Sequence, residues 1–427
     1  MQSLGRRQFI TGTALAFGVA LATTRVTFAR ANTSSKSRFV FIILRGALDG
    51  LAAVPPYGDR DYAGLRRDLA LKAPGTDGGV LLLDSLFGLH PSFGFLRESF
   101  AARELVVFHA VASPYRDRSH FDGQDVLENG NAVPHSVQTG WLNRALGAIP
   151  AGTRAPREMG VALGQNIPLV MRGPAAVTSW SPSKLAALDD DTLQRLSDLY
   201  ANDPLLAKRL SDAVAADAIA GSDPPMIDDS RFTSTSDRAK RESAEPALFS
   251  KRGTAGARYR EVVNAAAGFL RREDGPQVAV FDTTGWDTHA NEGSAEGQLA
   301  GRLAALDDGL RTLKEQLGPV WNDTAVLLAT EFGRTAAVNG TRGTDHGTAA
   351  AAFLIGGAVQ GGHVVADWPG LSTGSLYQGR DLQPTLDLRS VLKGVLGEHL
   401  LVPARALEDT VFPESRRAKA LTGLIRA

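Results

Sequence analysis

Asp287 and His289 sit two apart in Gly285-Trp286-Asp287-Thr288-His289, where a carboxylate and an imidazole can turn from one loop to a single ion. That donor pair suits zinc or manganese. It also occurs as a plain surface hydrogen bond, so it gains weight only from similar residues elsewhere. Asp345-His346 stands in the glycine-rich stretch Gly343-Thr344-Asp345-His346-Gly347-Thr348, Glu331 lies in Thr330-Glu331-Phe332-Gly333-Arg334-Thr335, and Asp49 lies in Gly46-Ala47-Leu48-Asp49-Gly50. Asp49 is either a hard-cation ligand or the N-cap of the helix that follows it.

A hydroxyl completes the set, in Arg118-Ser119-His120-Phe121-Asp122-Gly123-Gln124-Asp125. Ser119 is either an N-cap, with Asp122 three residues on as in a capping box, or a nucleophile at a helix N-terminus, where free N–H groups also receive a phosphoryl or sulfuryl group. Arg45 and Arg334 are candidates to clamp the oxygens of such an anion. Of the eight histidines, His90, His135, His363 and His399 lie in contexts that read as structural or exposed. His109, just past a strand end, reads either way.

The elements that must position these residues are legible as short apolar runs. Arg38-Phe39-Val40-Phe41-Ile42-Ile43-Leu44 is too short for a typical helix and rich in β-branched and aromatic residues, as expected of a strand buried on both faces. Similar runs recur at 105–108, 278–281, 325–329 and 352–355, each followed within a few residues by Asp, His, Glu or Gly. Between them lie helical patterns, such as 297–317, where Leu299, Leu303, Leu306, Leu310 and Leu313 repeat at three and four. The alternation predicts an α/β fold, a doubly wound, mostly parallel sheet flanked by helices. Ligand crevices of such sheets lie beyond the carboxyl ends of the strands, so the five polar clusters are expected to converge there. A stretch at about 186–272, broken at Gly221-Ser222-Asp223-Pro224-Pro225, reads as an inserted helical subdomain covering or shaping the crevice.

At the amino terminus, Arg6-Arg7-Gln8-Phe9 precedes an uncharged stretch from Thr11 to Thr24 that is too short to span a bilayer. Residues 1–31 therefore read as a cleavable twin-arginine signal peptide, leaving 32–427 as the mature chain, periplasmic or secreted, with the twin-arginine translocase as its partner during export. The sequence contains no cysteine, which excludes disulfides, thiolate zinc sites and iron–sulfur clusters, so any metal rests on Asp, Glu and His. Forty-six basic residues balance 46 acidic ones, and nothing in that balance points to nucleic acid or an anionic membrane. A small-molecule ester or an exported protein is the expected partner.

The motifs Leu-Arg-Gly-Ala-Leu-Asp-Gly, Ser-His-Phe-Asp, Gly-Trp-Asp-Thr-His, Glu-Phe-Gly-Arg-Thr and Asp-His-Gly resemble those of the exported bacterial family catalogued as domain of unknown function 1501, from about Arg38 to Leu421. The layout is similar in turn to the alkaline phosphatase and sulfatase superfamily. That resemblance implies a site of one or two divalent ions (zinc, manganese or calcium) at the strand ends. Asp49 would be its early metal ligand, Ser119 its nucleophile, Asp287 and His289 the mid-chain ligands and His346 the late one. Glu331-Phe332 stands where the superfamily has an Asp-His pair, leaving His120 or Asp345 to compensate, and Asp287-x-His289 is tighter than the usual spacing. The expected activity is metal-dependent hydrolysis of a phosphate or sulfate ester. The alternative is a non-catalytic exported binding or assembly protein on the same scaffold.

Overall fold

A computed structural model describes residues 36–150, 160–164, 166–181 and 254–426, with scattered positions between 196 and 214. The expected signal peptide lies outside the described residues, as does most of the expected helical insertion. Eleven strands are described: β1 (Arg38–Arg45), β2 (Leu81–Leu82), β3 (Gly88–Leu89), β4 (Leu105–Ala112), β5 (Gly160–Leu163), β6 (Val177–Trp180), β7 (Val278–Thr284), β8 (Thr324–Ala329), β9 (Ala350–Ile355), β10 (His363–Val365) and β11 (Leu386–Asp387). All but the β2–β3 pair join one sheet in the order β10-β4-β9-β8-β1-β7-β5-β6, with β11 on β4.

Every pairing in that sheet is parallel except the two that β9 makes, so the sheet is mostly parallel, as the alternating pattern predicts. The reversal of β9 has a local consequence. Its amino end, entered from Asp345-His346, lies at the edge where β1, β4, β7 and β8 leave the sheet. All five polar clusters are thereby brought to one edge.

Strand β1 shows why the runs are continuous rather than alternating. Val40, Ile42 and Leu44 face one helical layer, while Phe39, Phe41 and Ile43 face the other, and all six are fully buried. The first layer consists of α3 (Gly94–Ala101), α6 (Thr254–Arg271) and α7 (Gln298–Leu317). The second contains α4 (His120–Asn129), α5 (Trp141–Ala148) and α8 (Leu388–His399). Two short helices, α1 (Gly50–Ala53) and α2 (Tyr62–Arg66), follow β1. The five leucines of α7 that repeat at three and four are all buried. Helix α6 is the last part of the stretch read as an insertion, and Val263, Ala266, Phe269 and Leu270 place it in the same core as α7.

His90 and His109 are locked structural residues. His109 directs Nε2 to the carbonyl of Val54 at 2.9 Å and receives the N–H of Ala110 on Nδ1 at 2.8 Å. His90 repeats the pattern with Ser294 and Ser92. A carbonyl only accepts and an N–H only donates, so each ring is held as the neutral tautomer. Burial pushes both down to about 4. A folded pKa below the ordinary value of 6.5 means that the stabilisation is complete above about pH 6.5 and is lost as pH falls towards 4. Each ring puts up to about 3 kcal/mol at stake across that window. The melting temperature of metal-free protein is expected to fall steeply over this range, and His109→Gln to lessen the fall. An unchanged acid slope in that variant would remove His109 from the account.

Candidate metal centre

Short loops carry the functional side chains from the strand ends. Gly46, directly after β1, has φ +117°, and a Cβ there would lie 2.8 Å from the Asp287 amide nitrogen. Only glycine lets the β1 and β7 loops pack this closely. The loops after β8 and before β9 are stitched by a bridge between Arg334 and His346 and by Gly347 N–H donating to Gly333 O at 2.7 Å. Glu331 and His346 are thus fixed relative to one another by backbone.

His120, Asp287 and His346 present ligand atoms that all lie within 4.8 Å of one another. His346 Nε2 is 3.0 Å from Asp287 Oδ1, and His120 Nε2 is 3.5 Å from Asp287 Oδ2. His289 borders this set without belonging to it, its Nε2 3.0 Å from both His346 Nε2 and Asp287 Oδ1. The other nitrogen of each ring is anchored. Nδ1 of His120 meets Glu331 Oε1 at 2.8 Å, Nδ1 of His289 meets Asp345 Oδ1 at 3.2 Å, and Nδ1 of His346 meets the Arg118 carbonyl at 3.0 Å.

Those anchors are all acceptors, so each Nδ1 carries a proton, and each ring in its neutral form would present an Nε2 lone pair to a cation. Two lone pairs 3.0 Å apart, beside a carboxylate oxygen, repel unless a proton or a cation lies between them. His120 Nε2 is moreover buried with no hydrogen-bond partner. Two imidazoles and a carboxylate, with a third imidazole at their border and each ring oriented by a second hydrogen bond, are the donor set of a zinc-type site. The residues present fit a divalent cation.

The charges agree with this arrangement. The hydrogen bond that His120 donates to Glu331 raises it above the ordinary histidine value, and burial lowers His346. Burial opposes ionisation of Asp287, but the Arg334 guanidinium and the hydrogen bond to His346 outweigh it and hold the carboxyl below its usual range. Glu331, fully buried, is likewise kept ionised against the cost of burial by His120, Gly46 N–H and Gln124.

The other expected residues occupy different places. Asp49 is buried, caps α1 by accepting from Ala52 N–H at 3.0 Å, and pairs with the buried guanidinium of Arg66. Arg66 also lies 3.5 Å from Glu292, whose Oε2 accepts from Thr288 at 2.9 Å and from Thr344 at 2.7 Å. Asp49 thus belongs to a polar layer beneath the cluster. Ser119 holds the N-cap position of α4 but its side chain makes no cap bond. Asp122 forms no capping box with it either, turning instead to Tyr115 and His135. Arg334 donates to the carbonyls of Gly46, Ala47, Trp286 and Thr344 and to Asp287 Oδ1. Arg45 is engaged by Asp282, Glu128 and Gln124. Both guanidiniums expected to clamp an anion already have partners in the protein. Sequence reading missed Arg66, Glu292 and Gln124. Only Gln124 carried a signal, standing four residues after His120 on one helix face.

Fold and site together define an α/β protein with a mostly parallel sheet and a histidine–aspartate cluster at its strand ends. The family model described as "Protein of unknown function (DUF1501)" matches residues 89–411, more than half of the chain, and the chain belongs to that family. No curated protein matches the sequence. Among solved structures, Ps i-CgsB in complex with k-i-k-neocarrahexaose is similar at 11% identity and TM-score 0.40, over 90% of this chain and 77% of that one. A protein in the alkaline phosphatase superfamily from Vibrio parahaemolyticus is similar at 11% identity and TM-score 0.30, over 81% and 69%. The C-terminal periplasmic domain of EcEptC from Escherichia coli, in complex with Zn, is similar at 9% identity and TM-score 0.27, over 77% and 76%. Among the described residues, no helix is long and apolar enough to cross a membrane.

Proposed function

We propose that this chain is an exported, metal-dependent hydrolase of a phosphate or sulfate ester, with a divalent cation held by His120, Asp287, His289 and His346. The observation that carries the reading is the convergence of three imidazole Nε2 atoms on Asp287, each ring fixed through Nδ1. When bound, the cation would act as a Lewis acid on the ester and lower the pKa of the attacking group. Ser119 is the nucleophile in this reading. It adjoins His120 in sequence, and its side chain, beside the Tyr115 hydroxyl, makes no cap bond. Arg334 positions Asp287 rather than gripping substrate. The paired arginines at the amino terminus support action outside the cytoplasm.

The test is metal content and turnover together, on protein purified without chelator and assayed with aryl phosphate and aryl sulfate esters. Wild type should carry zinc or manganese near stoichiometry, and Ser119→Ala should keep that metal while losing turnover by about a thousandfold or more. Wild-type turnover in Ser119→Ala would remove the nucleophile assignment. Glu331→Gln tests the orientation of His120: metal affinity is expected to fall about 10–100-fold. Unchanged affinity would assign Glu331 to packing alone.

A second reading is favoured by one feature. Arg334 already contacts the Asp287 oxygen shared by His289 and His346, at 2.6 Å, which weakens that carboxylate as a ligand. A metal-free, folded protein purified under the same conditions would support a non-catalytic binding scaffold.

A further inference from the structure

A cavity of about 490 Å³ opens at the same sheet edge as the histidine–aspartate cluster, between the ends of β1 and β7 and the outer side of α4. It is joined to that cluster through Gln124. The Gln124 Nε2 donates to Glu331 Oε1 at 3.2 Å, the oxygen that also holds His120, and its Oε1 accepts from Arg45 at 3.0 Å. Residues 120 and 124 are one helical turn apart, about 5–6 Å along α4, so the cavity wall at Gln124 adjoins the turn that carries His120.

The lining specifies what would fit. Its carboxylates, Asp125, Glu128 and Asp282, outnumber its guanidiniums, Arg45 and Arg172. Arg45 is already neutralised between Asp282 and Glu128, and Arg172 donates to the Ile167 carbonyl. With three carboxylates against two guanidiniums, one of them neutralised, the charge of these groups does not favour an anion. Carboxylate oxygens keep acceptor capacity beyond the bonds that Arg45 takes, and can accept hydrogen bonds from hydroxyls. At the mouth stands Phe121, 87% exposed, the most exposed of the large hydrophobic side chains described. An aromatic face left in water beside planar polar groups suits a ring with C–H bonds on one side and hydroxyls at its edge.

We propose that this cavity binds a neutral, hydroxyl-rich ring, a pyranoside, with its C–H face on Phe121 and its hydroxyls towards Gln124, Glu128 and Asp282. The volume is within the range of small-molecule sites. This deepens the hydrolase reading and rests on it for one point only, that the pyranoside is the alcohol part of the ester. The binding itself stands apart from turnover.

Saturation-transfer NMR with a panel of neutral methyl pyranosides, on the full mature chain and with no ester present, tests it. At least one glycoside is expected to bind wild type with a millimolar Kd, and Phe121→Ala, which removes only an exposed ring, should weaken that binding about tenfold. His346→Ala should bind the same glycoside as wild type does. No transfer to any glycoside at tens of millimolar, an unchanged Kd in Phe121→Ala, or displacement of the glycoside by inorganic sulfate or phosphate would each overturn the proposal. Glycoside binding without ester turnover would remove the hydrolase reading and keep this one. Turnover without glycoside binding would do the reverse.

Discussion

Replacing His346 with alanine is expected to lower metal affinity by more than about 100-fold, because in the proposed site this ring would contribute a ligand nitrogen rather than a supporting contact. His346 Nε2 also lies 3.0 Å from both His289 Nε2 and Asp287 Oδ1. The stability consequence follows by linkage. A site saturated to 100 times its Kd adds about 2.7 kcal/mol to folding, and chelation should remove that increment from wild type while leaving the variant nearly unaffected. In metal-free protein the order should close or reverse, since the variant has lost the contact between two ring nitrogens that both present lone pairs. Titration with zinc and with manganese, followed by the melting temperature and by elemental analysis, measures both effects. Wild-type metal content in His346→Ala, with a wild-type response to chelation, would end the metal reading.

The sheet was legible because its strands are buried on both faces. A run such as 38–44 has no polar position to interrupt it, and its length rules out a typical helix. The cluster was legible for a related reason. Polar residues that follow such runs are carried to one edge by parallel pairing, which brings Asp287, His289, His120 and Glu331 together, while the reversed β9 delivers His346 from its amino end. What could not be read was which carboxylate faces the site. Asp49 follows β1 much as Asp287 follows β7, but Arg66 lies 17 positions further on with nothing in the spacing to announce it. Glu292 is equally silent in sequence, because its place beside Arg66 depends on how the β7 loop folds back under Thr288 and Thr344. The N-cap at Ser119 was read correctly as a position but not as a bond. The reversal of β9 has no periodic signature either, since a strand buried on both faces reads the same in both directions.

Arg66→Met is expected to be among the most damaging single substitutions in the chain, costing about 3–5 kcal/mol, because it strands the Asp49 carboxylate in a layer that water does not reach. Arg66 is fully buried, and Asp49 is 1% exposed and Glu292 fully buried. Burial opposes ionisation of Asp49, but the guanidinium overrides it and keeps Asp49 ionised. Glu292, by contrast, is pushed up to about 8 by burial and by the charge of Asp49, so near neutrality it remains mostly protonated. One cation thus balances one anion and one neutral acid. Without Arg66 the Asp49 carboxyl also rises, and a carboxyl raised in the folded state contributes stability below its unfolded pKa that is lost as pH increases. The gap between Arg66→Met and wild type should therefore widen from about pH 4 to pH 8. Asp49→Asn added to Arg66→Met should recover much of the loss, having removed the stranded charge. Denaturant unfolding of the metal-free proteins at several pH values measures all of this. If Asp49→Asn alone instead removed bound metal and left stability untouched, Asp49 would be a ligand after all, and the buried layer would have to be reassigned to the site.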